Sequence, residues 1–370
     1  MQPSSLLIAT SIAIAVTAAA CAGDPPPPPN GPKSEPTVTI PPETKLLAAP
    51  TTEPEDLPGV DTSELTSRER GLFWRWASQL YAPCPEVAVS VAACVKEDRP
   101  CASCAPAARF LAGRARAGDG QSEAIVAFTV RFGPDVKKID LADSPVKGKP
   151  TAPVTIVVWS DYECPACGYA VPMLDELLEK HPDEVRLVHK LYPLNSHPHS
   201  RPAARAALAA KKQGKYWEME KVLFSHQRAL EDADLSGYAK EIGLDMARFQ
   251  KDFADPKADE VIDRDRAEAD KHGLSGTPFI VINGREFDLG LFKLDRDLES
   301  WIATEVEIQK KEAQLRAVAA VGATLTGEGR GPVGPMSTGV PAASAAPAAT
   351  AAAPAAPAPS ATATAGAPKK

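Results

Sequence analysis

A pair of cysteines at the end of a predicted strand constrains the fold of this chain more than any other feature. The near-continuous apolar run Val154–Trp159 predicts a strand covered on both faces, and Cys164-Pro165-Ala166-Cys167 follows directly. Apolar residues then recur at helical spacing from Val171 to Leu178. The dithiol therefore lies where a strand turns into a helix. A helix N-terminus lowers the pKa of a thiol, so Cys164 is expected to attack as thiolate.

The elements that follow predict an α/β domain over residues 141–321. Val185–Leu191 reads as a second strand, and about eighty residues of helical pattern follow, an insertion at about 196–273. Thr277-Pro278 then leads into another strand, and Asn283-Gly284 predicts a two-residue hairpin turn. A long helix closes the domain. The fold class is thus α/β, a thioredoxin-like fold with an inserted helical domain.

Three stretches of this domain resemble the DsbA family of bacterial thiol:disulfide oxidoreductases. They are VTIVVWSDYECPACGYAVPMLDEL from Val154, LVHKLYPL from Leu187 and HGLSGTPFIVINGREF from His272. Cys167 and Pro278 are 111 positions apart, a spacing typical of the DsbA type and much longer than in plain thioredoxins. The resemblance covers about half of the chain.

The resemblance implies a role for each residue of the motif. Cys164 is the solvent-exposed nucleophile, Cys167 is the buried resolving thiol, and Pro278 is the cis-proline beside them. The Thr277 backbone is expected to pair with a substrate strand, and Pro165 and Ala166 to contact substrate. The best-known DsbA has Pro-His where this chain has Pro165-Ala166, which implies a less oxidising dithiol. Neither a cofactor nor a metal is required.

The direction of electron flow stays open at this stage, with oxidation of substrates favoured. Thr277 is the residue found at this position in many isomerase and reductase relatives. The alternatives are therefore a reductase or isomerase, or a thiol relay in cytochrome c maturation. A third alternative is a non-catalytic, surface-tethered binding protein. The expected partners are proteins with cysteines or disulfides and a membrane redox partner that recharges the dithiol.

The N-terminus predicts export and a lipid anchor. Leu6–Ala20 is an apolar run of signal-peptide length, and Ala18-Ala19-Ala20-Cys21 resembles a bacterial lipobox with Cys21 as the lipidated residue. Residues 1–21 are therefore interpreted as signal peptide and lipobox, with an ordinary signal peptide as the alternative. The expected location is the periplasm. Because Ala22 follows where Asp would indicate inner-membrane retention, the outer membrane is favoured.

Two segments are expected to be disordered, and one function class is excluded. Residues 22–62 are rich in proline and predict a linker; residues 322–370 are almost entirely Ala, Pro, Thr, Ser and Gly and predict a disordered tail. The net charge is −7 and no basic face with interleaved aromatic residues is present, so nucleic-acid binding is not expected.

Residues 63–140 predict a small helical subdomain that contains four further cysteines, Cys84, Cys94, Cys101 and Cys104. Residues 101–133 resemble the thioredoxin-partner module of the cytochrome c maturation factor CcmH: a CxxC, then AGDGQSEAI, then RFG. Three interpretations stay open: two structural disulfides, a redox-active Cys101/Cys104 pair, and a four-thiolate zinc site. Structural disulfides are favoured, and four cysteines allow three pairings.

Five polar residues are expected near the motif: Asp161, Glu163, Lys190, His197 and His199. Asp161 or Glu163 is a candidate for a buried acid that tunes Cys167, and Lys190 for its partner. The favoured interpretation is that these side chains are solvated. The two histidines are expected to be loop or helix-cap residues.

Overall fold

The computed structural model describes residues 44–84, 88–141 and 143–325, with side chains to residue 321. The predicted signal peptide with Cys21, residues 22–43 of the predicted linker and residues 326–370 of the predicted tail lie outside these ranges. None of the helices in the described part of the chain is long and apolar enough to cross a membrane.

One five-stranded sheet forms the centre of the second half of the chain, in the order β1-β3-β2-β4-β5. Strand β2 pairs in parallel with β3 and antiparallel with β4, and the edge pairs β1/β3 and β4/β5 are antiparallel. Strands β2 and β3 are buried along nearly their whole length, as the apolar run Val154–Trp159 predicted for β2. The strands are β1 Val146–Gly148, β2 Val154–Ser160, β3 Val185–Leu191, β4 Phe279–Ile282 and β5 Arg285–Glu286.

Two helices pack on this sheet and complete its core. Helix α5 (Pro165–Lys180) connects β2 to β3, and α11 (Leu294–Leu325) follows the β4–β5 hairpin. The hairpin turn is made by Asn283 and Gly284, both with positive φ, as the Asn-Gly pair predicted. Apolar side chains of both helices and the sheet form one buried cluster, which includes Ile156, Leu174, Leu187, Ile280 and Trp301.

The inserted helices form a second apolar cluster beside the sheet. Its centre is the alanine-rich helix α6, whose small side chains allow α7 and α9 to approach closely. The insertion is joined to the sheet through Tyr162 and Leu191, which lie in the same cluster. The helices are α6 Ser200–Lys211, α7 Tyr216–Ser225, α8 Asp232–Glu241, α9 Met246–Phe253 and α10 Lys257–Lys271.

The N-terminal helical subdomain consists of four helices with a core of their own. A capping box at Thr66 and Glu69 opens the first helix. The second helix, the six-residue α2, carries Cys94. Phe73, Trp76 and Leu111 lie in the core of this subdomain. Its helices are α1 Ser67–Gln79, α2 Val91–Lys96, α3 Cys104–Arg116 and α4 Gln121–Phe132.

Three predicted boundaries differ from the structure. Leu57 and Val60 fall inside the predicted linker 22–62 but are buried in the core of the helical subdomain, so that core begins before residue 63. Helix α11 continues four residues past the expected start of the tail, to Leu325. Strand β1 was not predicted, because its three residues Val-Lys-Gly carry no periodic pattern.

A buried ion pair joins the helical subdomain to the sheet domain. The Arg131 guanidinium of α4 donates to the Glu305 carboxylate of α11 and to the Trp301 carbonyl oxygen at 3.3 Å, and it lies over the Trp301 ring. The second Glu305 oxygen accepts from the Asn283 side chain at 3.0 Å. Arg131 and Glu305 are 2% and 4% exposed, so each charge depends on the other in a water-poor environment.

We expect Glu305→Ala to reduce the free energy of unfolding by about 3–5 kcal/mol, because it leaves the buried Arg131 charge without its partner. The measurement is urea denaturation followed by tryptophan fluorescence. Glu312→Ala is the matched control, since it removes an exposed pair with Arg316 on the same helix and should cost less than about 0.5 kcal/mol. Equal effects of the two substitutions would contradict the structural role of the buried pair.

Candidate active site

The two cysteines of the motif lie at the first turn of α5. Cys164 is the N-cap residue of this helix, and Pro165 occupies its first turn, where a missing N–H leaves no hydrogen bond unmade. Cys167 is inside the helix, and its backbone N–H donates to the Cys164 carbonyl oxygen at 3.1 Å. The two sulfurs are not bonded to each other, so the structure shows the dithiol form.

The Thr277-Pro278 peptide lies beside Cys164 and is cis, as predicted. Strands β2 and β4 run antiparallel with Trp159 opposite Phe279, so the end of β2 meets the start of β4. The Cys164 thiol contacts the Thr277 carbonyl oxygen at 3.3 Å. The structure therefore brings together residues that are more than a hundred positions apart in the sequence.

The two thiols have opposite acidities. Hydrogen bonding from Cys167, with smaller contributions from Thr277 and from the N–H groups of Cys167 and Ala166, lowers the pKa of Cys164 from 9.0 to about 5 against the opposing effect of burial. Burial raises the pKa of Cys167 well above its ordinary value. At neutral pH the dithiol therefore holds one thiolate, on Cys164, and one thiol, on Cys167.

Cys164 is less accessible than predicted. The residue is 7% exposed, against 0% for Cys167, because it is enclosed between the helix start and the Thr277 peptide. The expected solvent-exposed nucleophile is thus a partly covered one, although the order of the two cysteines is as predicted. Pro165 and Ala166 are exposed next to it, and Tyr169 on the following turn is 58% exposed. A substrate would reach the sulfur from this side.

Asp161 is buried below the motif and organises it, contrary to the interpretation that it is solvated. Its carboxylate accepts from the backbone N–H of Glu163 at 2.7 Å, of Cys164 at 3.2 Å and of Leu194 at 2.7 Å. It also accepts from His197 Nδ1 at 2.9 Å. The Asp161 N–H itself points to the Cys167 sulfur at 3.5 Å. One carboxylate thus fixes the loop before α5 and the loop after β3.

The other polar residues near the motif have different partners from those predicted. Glu163 accepts from the backbone N–H of His199 at 2.7 Å and is half-buried. Lys190 is buried but pairs with Asp265 and Glu268 of α10, at 3.4 and 2.8 Å, and not with an acid of the motif. Lys190 therefore attaches the helical insertion to the sheet.

Comparison with known proteins agrees with this geometry. Residues 141–304 match a family model described as thioredoxin. A solved thioredoxin-like oxidoreductase from Silicibacter pomeroyi is 33% identical, with 43% of this chain and 90% of that chain covered and a TM-score of 0.39. Oxidised BdbD from Bacillus subtilis is 20% identical, with 46% and 97% covered and a TM-score of 0.42.

The curated relatives are much longer than the matched segment. The Na(+)/H(+) antiporter NhaA 3 of Salinispora tropica is 42% identical over 175 residues, which cover 47% of this chain. The antiporter NhaA of Herminiimonas arsenicoxydans is 39% identical over 140 residues. The chain spans about a quarter of the length of these relatives, 26% and 22%.

Residues 141–304 therefore form a thioredoxin-like domain. This match and the arrangement of Cys164, Cys167 and Pro278 confirm the predicted thioredoxin-like fold.

A glutamine of the helical insertion holds the motif of the thioredoxin domain in place, and no local sequence pattern predicts this role. Gln227 follows α7 and donates from Nε2 to the carbonyl oxygens of Tyr162 and Cys164, at 2.9 and 2.8 Å. Its side chain fills the space beside Gly168, where any larger residue would collide with it. The insertion therefore contributes directly to the shape of the site.

A buried polar network lies behind the motif and was also missed. Tyr162 donates to Tyr216 at 3.3 Å, Tyr216 hydrogen-bonds His189 Nδ1 at 2.7 Å, and His189 Nε2 pairs with Ser160. Burial lowers the pKa of His189 to about 3 and raises that of Glu220, 3.6 Å away, to about 8. Both groups are therefore neutral at pH 7, which allows them to be buried in the core.

The four cysteines of the helical subdomain form two disulfides, Cys84–Cys101 and Cys94–Cys104. The alternative of a Cys101/Cys104 pair does not match this bonded state, because each of the two bonds to an upstream cysteine. All four sulfur atoms nevertheless lie within 4.8 Å of one another, in an arrangement that could hold a metal ion. Structural disulfides, the favoured prediction, agree with the bonded state.

We expect the Cys164 thiolate to titrate near pH 5. Thiolate absorbance at 240 nm, measured as the difference between the reduced chain and its Cys164→Ser variant, should fall with a midpoint near 5 as the pH is lowered, because protonation removes the stabilised thiolate. Alkylation of Cys164 should slow over the same range. A midpoint between pH 8 and 9 would show that the surrounding hydrogen bonds do not stabilise the thiolate.

Proposed function

We propose that this chain is an extracytoplasmic thiol:disulfide oxidoreductase that introduces disulfides into protein substrates through Cys164 and Cys167. The observation that carries the proposal is the contact between the Cys164 sulfur and the Thr277 carbonyl oxygen beside a cis-proline, with the pKa of Cys164 lowered to about 5. An extended substrate can align its backbone with Thr277 while its cysteine meets Cys164. No cofactor takes part in this chemistry.

In the oxidising direction the reaction is two successive exchanges. A substrate thiolate attacks Cys164 of the oxidised pair, the Cys164–Cys167 bond breaks, and Cys167 leaves and takes up a proton. The second substrate thiolate then attacks the substrate sulfur of the mixed disulfide. Cys164 leaves as the stabilised thiolate, the substrate disulfide forms, and the enzyme holds the electron pair as a dithiol.

The acidity of Cys164 supports this direction. A thiolate that is stabilised in the dithiol form stabilises the reduced enzyme, which makes the disulfide form a stronger oxidant. The hydrogen bonds that lower the pKa come from Cys167, Thr277 and the backbone, so they replace the histidine absent from this motif. Thr277 itself favours the second candidate, a reductase or isomerase. The reduction potential distinguishes the two.

We expect the reduction potential of the Cys164/Cys167 pair, measured against glutathione, to lie closer to about −120 mV than to about −270 mV. A value at the more negative end would support the reductase. The chain should also accelerate insulin reduction by dithiothreitol, and Cys164→Ser should abolish this effect. Equal rates with and without Cys164 would support the binding protein instead. Cys167→Ser should accumulate mixed disulfides when its Cys164 thiolate attacks a substrate disulfide, because no Cys167 thiol is present to displace the product.

The partners follow from the same chemistry. The substrates are proteins whose paired cysteines are still reduced and lie in a segment flexible enough to align along Thr277. After each turnover a membrane redox partner must remove the electron pair from the dithiol, because the domain carries no acceptor of its own in this scheme. The periplasm is the compartment where this activity would operate.

We further propose that Cys21 carries a lipid that holds the chain at a membrane, the outer membrane being favoured by Ala22. The signal-length apolar run and the Ala-Ala-Ala-Cys sequence support this. The full chain expressed in a bacterial host should incorporate labelled palmitate and partition into detergent, and Cys21→Ser should lose both properties. Unchanged labelling of Cys21→Ser would refute the anchor.

A further inference from the structure

The two disulfides of the helical subdomain lie so close together that a thiolate released from one of them would contact the other. The Cys84 sulfur lies 3.6 Å from the Cys94 sulfur and 3.6 Å from the Cys104 sulfur, so it contacts both atoms of the neighbouring disulfide. Thiol–disulfide exchange proceeds by attack of a thiolate on a sulfur within contact distance. If Cys84 were released from Cys101, its thiolate would therefore already face a disulfide.

The two bonds differ in their access to solvent. Cys84 and Cys101 are half-buried, whereas Cys94 and Cys104 are 0% and 4% exposed. An external thiolate can therefore reach the Cys84–Cys101 bond first. The Cys94–Cys104 bond is reached only through the subdomain itself.

The two sulfurs of the inner bond also differ as leaving groups. Cys104 is the first residue of α3, whereas Cys94 lies in the interior of α2. The N–H groups at a helix start stabilise a thiolate, so Cys104 is the better leaving group. Attack by Cys84 is therefore directed to Cys94.

We propose that this subdomain is a second thiol–disulfide exchange site, in which Cys84 transfers reduction from the outer disulfide to the inner one. Its two-electron-reduced state carries a Cys84–Cys94 disulfide and a free Cys101/Cys104 dithiol. That dithiol has the same two-residue spacing as Cys164 and Cys167, and Cys104 is the first residue of α3. The reductant is a dithiol, either of a protein or of a small molecule.

The exchange is balanced as follows. A thiolate of the external dithiol attacks Cys101, the Cys84–Cys101 bond breaks, and Cys84 leaves as thiolate. Cys84 attacks Cys94, the Cys94–Cys104 bond breaks, and Cys104 leaves as thiolate. The second thiolate of the external dithiol then attacks the first external sulfur, which is bonded to Cys101 in the mixed disulfide. This closes the external disulfide and releases Cys101 as thiolate. The external dithiol is oxidised by two electrons, and one of the two protein disulfides is lost.

The test uses the full chain with Cys164→Ser and Cys167→Ser, so that the first site cannot contribute. One equivalent of dithiothreitol is added, free thiols are alkylated at once, and the labelled cysteines are mapped by mass spectrometry. We expect a Cys84–Cys94 cross-link, with Cys101 labelled throughout and label on Cys104 in about fivefold excess over label on Cys84, the equilibrium factor for a helix-start preference near 1 kcal/mol. Label confined to Cys84 and Cys101 would overturn the proposal.

A further substitution tests the transferring role of Cys84. With Cys101→Ser added, the free thiol should appear on Cys104 and a Cys84–Cys94 bond should form. With Cys84→Ser added instead, the Cys94–Cys104 bond should persist and the label should stay on Cys101. Far-UV circular dichroism identifies a variant that fails to fold, in which case the mapping of the parent chain decides. Stoichiometric zinc with all four cysteines protected from alkylation would instead establish a metal site and overturn the exchange.

Discussion

The antiparallel pairing of β2 with β4 is the constraint on which the proposed active site depends. It places Trp159 opposite Phe279, and this register alone sets Thr277 and Pro278 beside the motif that follows β2. The five inserted helices leave the sheet after β3 and return just before β4, so they lengthen the chain without disturbing the register. The insertion also supports the site, because Gln227 donates hydrogen bonds to two carbonyl oxygens of the motif loop.

The charge distribution around the dithiol follows from how each polar group is satisfied. Asp161 is buried, and its carboxylate accepts four hydrogen bonds, three from backbone N–H groups and one from His197. The Cys164 thiolate is stabilised by other donors, chiefly the Cys167 thiol. A buried carboxylate and a thiolate can thus lie in adjacent loops, because separate sets of donors serve them. This division explains how the motif keeps an acidic Cys164 without a histidine between its cysteines.

The sequence predicted the elements of the fold well and the polar surroundings of the site poorly. The central strands, α5 and the cis-proline follow from apolar runs, turn residues and a motif, all of which are local signals. Burial of Asp161 and the reach of Gln227 depend on where distant loops meet, which no local pattern records. The same holds for the cysteine pairing, since the spacing Cys101-x-x-Cys104 suggested a bond that the packing of α2 on α3 replaces.

The two cysteine sites share one feature, a cysteine at the start of a helix, in different surroundings. In each, one cysteine stands at the start of a helix and another cysteine lies three positions before or after it in the sequence. At Cys164 the opposing face is the Thr277 peptide, which leaves the sulfur for an outside substrate. At Cys104 the opposing face is Cys84, whose sulfur occupies the place a substrate would take. The first arrangement favours exchange with other proteins, and the second favours exchange within the subdomain. Because the Arg131–Glu305 pair joins the two halves, both sites are held on one framework.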